Sequence, residues 1–291
     1  VYKVTEPERD EIILTIKNNS STYKLSISVN PSLSLCMLTD VNKKSPINAP
    51  TFVMLLRKHI QNGKIVSITQ PNVDRVIDME IEHMNELGDM VSVHLCSEFM
   101  GKYSNIILCD NEYNILDSIK RVPSTVSSVR EVLPGRKYFI PDGDKLSLDT
   151  LNKNELFESI RDKKCILQKA IYTSITGLSP VIANEICNNA GLPADLPATS
   201  MSSTEIEKLY NALMNLKSRI DNDEFTFAIY KDSYSNKPEF SAIPLTSGYY
   251  DSVEYESPSQ LLSDFYNDKA LRNRMTQKSF EYRRLTSNLL E

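Results

Sequence analysis

The sequence predicts an α+β protein of four parts. A β-rich domain over residues 1–147 precedes a helical module over 148–219, a small β-rich segment over 220–256 and one long helix over 257–291. Three observations predict this order. Apolar residues follow strand spacing through most of residues 10–118. The period turns helical beyond the Pro141-Asp142-Gly143-Asp144 turn. From residue 259 to the end no Gly or Pro interrupts a helical pattern.

Asp10–Lys17 and Thr22–Val29 alternate around Asn18-Asn19-Ser20-Ser21, which predicts a hairpin. Pro50–Gln61 is the one strong helix of the first domain, with Phe52, Leu55, Leu56 and Ile60 at helical spacing and Asn62-Gly63 ending it. Strands are expected near 64–70, 73–82, 90–99, 104–109 and 113–119, best arranged as an antiparallel meander or flattened sandwich. Helices follow near 149–159, 163–174, 180–189 and 202–218, then strands near 225–230, 239–245 and 251–255. Ser257-Pro258-Ser259-Gln260 reads as a capping box opening the last helix. Leu271, Met275, Tyr282, Leu285 and Leu289 mark a heptad stripe, the expected root of a longer coiled coil.

Composition excludes several classes. Lys plus Arg is 33 and Asp plus Glu 38, a net charge of −5, so a global polycation is excluded and any nucleic-acid site must be a local patch. The eight glycines form neither G-x-G-x-x-G nor G-x-x-x-x-G-K-[ST], which removes the usual phosphate cradles. His59, His83 and His94 form no H-E-x-x-H, and the five cysteines form no C-x-x-C, so neither a metal nor a cofactor is expected. Odd, scattered cysteines predict reduced, packed thiols and a cytoplasmic location. No apolar run reaches the ~20 residues that span a bilayer. Because the chain begins at Val1, it is expected to be an N-terminally truncated fragment.

Four constellations carry possible chemistry. In the strand expected from residue 73, alternation puts Val73, Arg75, Ile77, Met79 and Ile81 on one face and Asp74, Asp78, Glu80 and Glu82 on the other. Arg75 then intrudes on an apolar face, where it is either paired structurally or aimed at a ligand. Glu98-Phe99-Met100-Gly101-Lys102-Tyr103-Ser104-Asn105 presents a cation, a stacking ring and an amide at a glycine turn, or is an ordinary polar hairpin. Basic density is the third: Arg57, Lys58, Lys64 and Arg75 against Asp74, then Lys120, Arg121, Arg130, Arg136 and Lys137 against Glu131. Arg57 and Lys58 also suit a helix C-terminus without any ligand. Last, Ile175–Ile186 resembles a helix-hairpin-helix with Gly177 at the turn, Ser179 as N-cap and Pro180 at N1, a phosphate clamp or a purely structural hairpin. No catalytic set emerges, and a binding protein rather than an enzyme is expected.

Taken together, Met54–Ile60, Asp74-Arg75, Asn85–Asp89, Glu98–Leu108 and Val132–Gly135 follow the order and spacing of the NFACT family, bacterial members of which carry the name fibronectin- or fibrinogen-binding protein. The resemblance covers nearly the whole chain. It implies an NFACT-N domain, similar to the N-terminal domain of formamidopyrimidine-type DNA glycosylases, then a helix-hairpin-helix module and the start of a coiled coil. The glycosylase chemistry needs an N-terminal proline, and this chain begins Val1-Tyr2-Lys3, so that chemistry is not implied.

Functionally the resemblance implies ribosome-associated quality control: binding of large ribosomal subunits obstructed by peptidyl-tRNA, and recruitment of tRNA, charged with alanine in bacteria, for C-terminal tailing. The implied tRNA-binding residues are Asp74, Arg75, Arg57, Lys58, Glu98, Lys102, Tyr103 and Asn105, with Gly177 and Ser179 as phosphate contacts. The family's glycine turn carries Arg-His where this chain has Lys102-Tyr103, which keeps the charge but loses a bidentate guanidinium. The alternative is a surface-exposed adhesin for fibronectin or fibrinogen. A DNA-repair lyase would need the absent N-terminal amine.

Overall fold

A computed structural model describes residues 1–141, 143–232 and 238–267, together with Met275 and Ser279. The chain divides into two compact units. One comprises Val1–Pro71, Arg75–Ile140 and the segment from Leu262; the other comprises Asn72–Asp74 and Pro141–Leu261.

The first unit opens with four strands, β1 (Lys3–Glu8), β2 (Glu11–Asn18), β3 (Ser21–Asn30) and β4 (Leu33–Leu38), each paired antiparallel with the next. The expected hairpin closes with Asn18 opposite Ser21, and Asn19 takes φ 49°, the left-handed conformation such a two-residue turn demands. Helix α1 (Thr51–Ile60) ends where Asn62 adopts φ 66°. At Gly63 a Cβ would lie 2.8 Å from both the Glu82 carbonyl and the Ile81 side chain, so only glycine lets the chain pass here. A second antiparallel meander follows: β5 (Lys64–Thr69), β6 (Val76–Met84), β7 (Met90–Glu98), β8 (Asn105–Asp110) and β9 (Ile115–Ser118). Ile12, Leu14 and Ile27 from the first sheet, Phe52, Leu56 and Ile60 from α1, and Ile81, Leu95, Ile106 and Leu108 from the second form one core.

The strand expected from residue 73 begins instead at Val76. Pro71 fixes its own φ and offers no N–H donor, and Pro71–Val73 turns as a short 3-10 segment. Val73 ends that turn at φ 58°, a strained value for a β-branched side chain. Asp74 and Arg75 therefore precede the strand, and the alternation argument does not apply to them.

In the second unit α2 (Lys153–Arg161) is capped by Asn152, α4 (Pro180–Asn189) by Ser179 and α5 (Ser203–Asp221) by a full Ser202/Glu205 capping box; α3 (Leu167–Ser174) lies between α2 and α4. Leu156, Ile160, Leu167, Ile171, Leu209 and Leu213 are buried in their common core. Strands β10 (Phe227–Asp232), β11 (Pro238–Ser241) and β12 (Tyr249–Tyr255) form a sheet of order β11-β10-β12. Ala228, Tyr230 and Leu245 pack it onto Val181 and Ile182 of α4. This sheet thus clusters with the helices, and the boundary placed at 219 does not separate two units. Residues 258–267 are helical, as is Met275; Leu271, Tyr282, Leu285 and Leu289 of the heptad stripe lie outside the described residues. Among the described residues no helix is long and apolar enough to cross a membrane.

Two positions give stability predictions. Gly177, in the α3–α4 turn, has φ 80°, and a Cβ there would meet Val73 Cγ1 at 2.8 Å. Gly177→Ala is expected to cost roughly 1–3 kcal/mol in urea unfolding. Glu6, on β1, is 5% exposed with one carboxylate oxygen unpartnered, and burial raises it from 4.5 to about 6. A raised carboxyl pKa means the folded state favours the proton. The stability this contributes is complete below about 4.5 and lost as pH rises through about 6. Glu6→Gln should therefore be close to neutral at pH 4 and about 1–2 kcal/mol stabilising at pH 8, read as melting temperature against pH.

Candidate functional site

One end of the second sheet gathers the expected site residues of β6–β8. Val76 on β6 stands opposite Glu98 on β7, and Glu98 opposite Asn105 on β8. Just outside this row, Phe99 N–H donates to the Arg75 carbonyl at 2.8 Å. The chain then turns through Gly101–Tyr103, where Gly101 takes φ 59° and Ser104 N–H donates to its carbonyl. Backbone geometry therefore sets Arg75 beside the Lys102-Tyr103 turn.

Their side chains face water. Arg75 and Lys102 are exposed and Tyr103 is 70% exposed, with the Lys102 ammonium 4.8 Å from the Tyr103 ring centroid. Among the described residues no side-chain hydrogen bond or ion pair holds the Arg75 guanidinium. Asp74 is half-buried and already engaged within the chain.

Glu98 and Asn105 do not belong to this surface. Glu98 has no exposure; its carboxylate accepts Arg130 Nη2 at 2.5 Å and the Tyr138 hydroxyl at 3.0 Å. Burial opposes the Arg130 charge, and the Glu98 carboxylate outweighs it, holding the guanidinium above its ordinary pKa. Burial beside the same carboxylate raises Tyr138 as well. Buried Asn105 donates to the Lys120 carbonyl at 2.8 Å and accepts the Lys120 N–H at 3.1 Å. Both residues fasten the segment after β9 rather than a ligand, which corrects their reading as tRNA contacts.

Arg57 and Lys58 sit elsewhere. Arg57 Nε donates to the Val4 carbonyl at 3.1 Å, and Lys58 pairs with Glu86 at 3.1 Å in the β6–β7 turn. That turn is at the far end of β6, roughly 30 Å from Arg75 by strand rise. Gly177 and Ser179 are exposed in the second unit, with Ser179 Oγ accepting Ile182 N–H at 3.2 Å.

The basic run over 120–137 is largely consumed. Lys120 Nζ donates to the Val29 and Ser104 carbonyls, Arg121 pairs with Asp117, Arg130 with Glu98, and Arg136 with Glu131. Burial lowers the Lys120 pKa. Sequence reasoning also missed Asp78, which alternation placed on a face of carboxylates with Glu80 and Glu82. It is buried, accepting the Tyr113 hydroxyl at 2.6 Å and lying 3.0 Å from His94 Nδ1, whose ring stacks on Tyr113. Burial, then the Asp78 bond, raises Tyr113. The second face of the sheet is covered by Tyr138, Val132 and their neighbours, which alternation within one strand cannot reveal. All five cysteines are free, and among the described residues no three or more His, Cys, Asp or Glu cluster as a metal site.

A family model described as NFACT N-terminal and middle domains matches residues 1–291. The chain belongs to the NFACT family. This NFACT chain is 31% identical over 290 residues to the Rqc2 homolog RqcH of Bacillus subtilis, covering 99% of this chain and 49% of that protein. It is 27% identical over 273 residues to the archaeal Rqc2 homolog aRqcH of Methanocaldococcus jannaschii, covering 91% and 38%. The chain spans about half the length, or less, of these curated relatives. Among solved structures it resembles the fibrinogen binding protein from Staphylococcus aureus, with TM-score 0.77, 27% identity and 91% of each chain covered. It also resembles the N-terminal part of the fibronectin/fibrinogen-binding protein from Streptococcus suis, with TM-score 0.72, 28% identity, and 92% and 91% covered.

The buried pair and the exposed turn should respond oppositely to truncation. Arg130→Ala strands Glu98 without its cation and should cost about 3–5 kcal/mol. Lys102→Ala should change stability by no more than about 0.5 kcal/mol. Urea unfolding of the two variants side by side checks both.

Proposed function

We propose that this chain is the tRNA-binding part of a ribosome-associated quality-control factor. It acts on large ribosomal subunits that hold peptidyl-tRNA and recruits tRNA, charged with alanine, for C-terminal tailing of the stalled chain. It does so by binding, with no catalytic step of its own. The observation that carries this reading is the Arg75 guanidinium, exposed at the sheet end with no side-chain partner among the described residues, together with exposed Lys102 and Tyr103 on the turn after β7. Two cations attract phosphate, and a solvent-facing ring offers a base a stacking surface. The family membership and the RqcH relatives support the same assignment. On this reading α3, its turn and α4 act as a helix-hairpin-helix whose Gly177–Ser179 segment approaches phosphate, and the terminal helix opens a coiled coil.

Two of the similar structures are of proteins named for binding fibrinogen or fibronectin, which favours a second reading, an adhesin for fibronectin or fibrinogen at a cell surface. Capture of the folded chain on immobilised fibronectin, unaltered by Arg75→Ala, would favour it over the first.

Replacing Arg75 separates recognition from architecture. Arg75→Ala should leave the melting temperature unchanged and weaken tRNA binding by roughly 1–3 kcal/mol. It should also flatten the log–log salt dependence by about 0.7–0.9, the contribution of one phosphate contact. Asp74→Ala should lower both stability and affinity, since Asp74 is engaged within the chain. Unchanged tRNA affinity in a folded Arg75→Ala protein would sink the reading.

A further inference from the structure

A groove opens at the far end of the second sheet, beside the last turn of α1. Its volume is about 720 Å³, within the ~300–1,000 Å³ of small-molecule sites. His83 continues the row of Met79 and Ile81 on β6, so its ring lies on the core face. His59 of α1 stands across from it, and Val93, Leu116 and the 87% exposed Leu87 add apolar wall. The two imidazole rings meet edge to face with centroids 5.7 Å apart.

His83 is 6% exposed, and its Nδ1 has no hydrogen-bond partner among the described residues. A buried ring nitrogen left unbonded costs stability, and a ligand in the groove that its ring lines can repay that cost. Burial lowers the pKa of both rings, and His83 and Lys58 lower His59 further against the pull of Glu86. Each ring is therefore neutral at neutral pH, with one nitrogen that donates and one that accepts.

Charge narrows what fits. The charged side chains lining the groove are Lys58, Glu86 and Asp110. Lys58 and Glu86 pair with each other. Asp110 accepts the Glu112 and Asn114 N–H groups and the Asn114 side-chain amide. No cation is left over to hold a phosphate, and no three donors cluster to hold a metal among the described residues. The chemistry that remains is a neutral, flat ring with both a donor and an acceptor on one edge. A nucleobase has this form. Its Watson–Crick edge meets a neutral histidine in either tautomer, and its faces pack against imidazole and apolar side chains.

We propose that the His59–His83 groove is a nucleobase-binding pocket in which the base edge hydrogen-bonds to His83. The base belongs either to a free nucleoside or to an unpaired position of an RNA; the chemistry is the same. The pocket lies at the opposite end of β6 from Arg75 and does not rest on tRNA binding there.

The first probe is the set of four ribonucleosides, which carry no phosphate. Saturation-transfer NMR should show magnetisation passing from this chain to the base protons of at least one of them. The ring 15N signals of His83 should shift on titration, and those of His94, stacked on Tyr113, should not. His83→Phe keeps a ring in place and removes both nitrogens. It should hold or raise the melting temperature and weaken the nucleoside by about fivefold, the effect of one hydrogen bond. The 15N shifts are read on the unaltered chain, so they decide the matter even if that variant does not fold. A single-stranded RNA then separates the sources. Tighter binding than the nucleoside, weakened by His83→Phe, assigns the pocket to an RNA base; binding no tighter assigns it to free nucleosides. No transfer to base protons, no shift at His83, nucleoside affinity unchanged in folded His83→Phe, or equal competition by ribose 5-phosphate would each overturn the proposal. Because the nucleosides carry no phosphate, their failure would leave the Arg75 reading to its own test.

Discussion

A carboxylate with no exposure must be neutralised where it lies, and Glu98 meets this requirement with Arg130 and Tyr138. Both partners come from the segment between β9 and residue 140, which has little regular structure to hold it. The ion pair, the two carbonyl bonds of Lys120 and the Asn105 clamp fasten that segment across the sheet. Its coverage buries Cys96, Ile107, Cys109 and Ile115 on the face away from the main core. Glu98 and Asn105 also bracket the Gly101–Tyr103 turn. The turn therefore rises from two immobilised residues.

The same arrangement explains why counting charges along the chain overstates the free positive surface. The 120–137 run looked like the stronger basic patch. Arg121, Arg130 and Arg136 each face a carboxylate, and Lys120 is spent on backbone carbonyls. Arg75, a single cation in an unremarkable stretch, is the one at this sheet end left without a side-chain partner among the described residues.

Local pattern read the local features well. The β2–β3 hairpin, α1 with its Asn62-Gly63 stop, and the Ser179 cap all follow from residues within one turn of one another. What escaped the sequence depends on distant partners. Asp78 looked solvated because its strand alternates, yet Tyr113 lies 35 positions away and closes over it. Glu98 and Asn105 read as a polar hairpin until Arg130 and Lys120 arrive from further along the chain. Val73 looked like a strand residue, because no propensity announces a β-branched side chain at φ 58°. Of the eight residues the resemblance assigned to tRNA, Arg75, Lys102 and Tyr103 are exposed at the same end of the second sheet, and Asp74 is half-buried.

Both sheets of the first unit are strict meanders, each strand pairing only with its neighbours in the chain. Every ladder can thus close across a short loop, at small entropic cost, as soon as its second strand exists. The first sheet is complete by Leu38, well before the first residue of the second has been joined to the chain. During synthesis it must wait with Ile12, Leu14 and Ile27 uncovered until α1 and the later strands arrive. Residues 1–60 are accordingly exposed to misassociation until the strands of the second sheet are made.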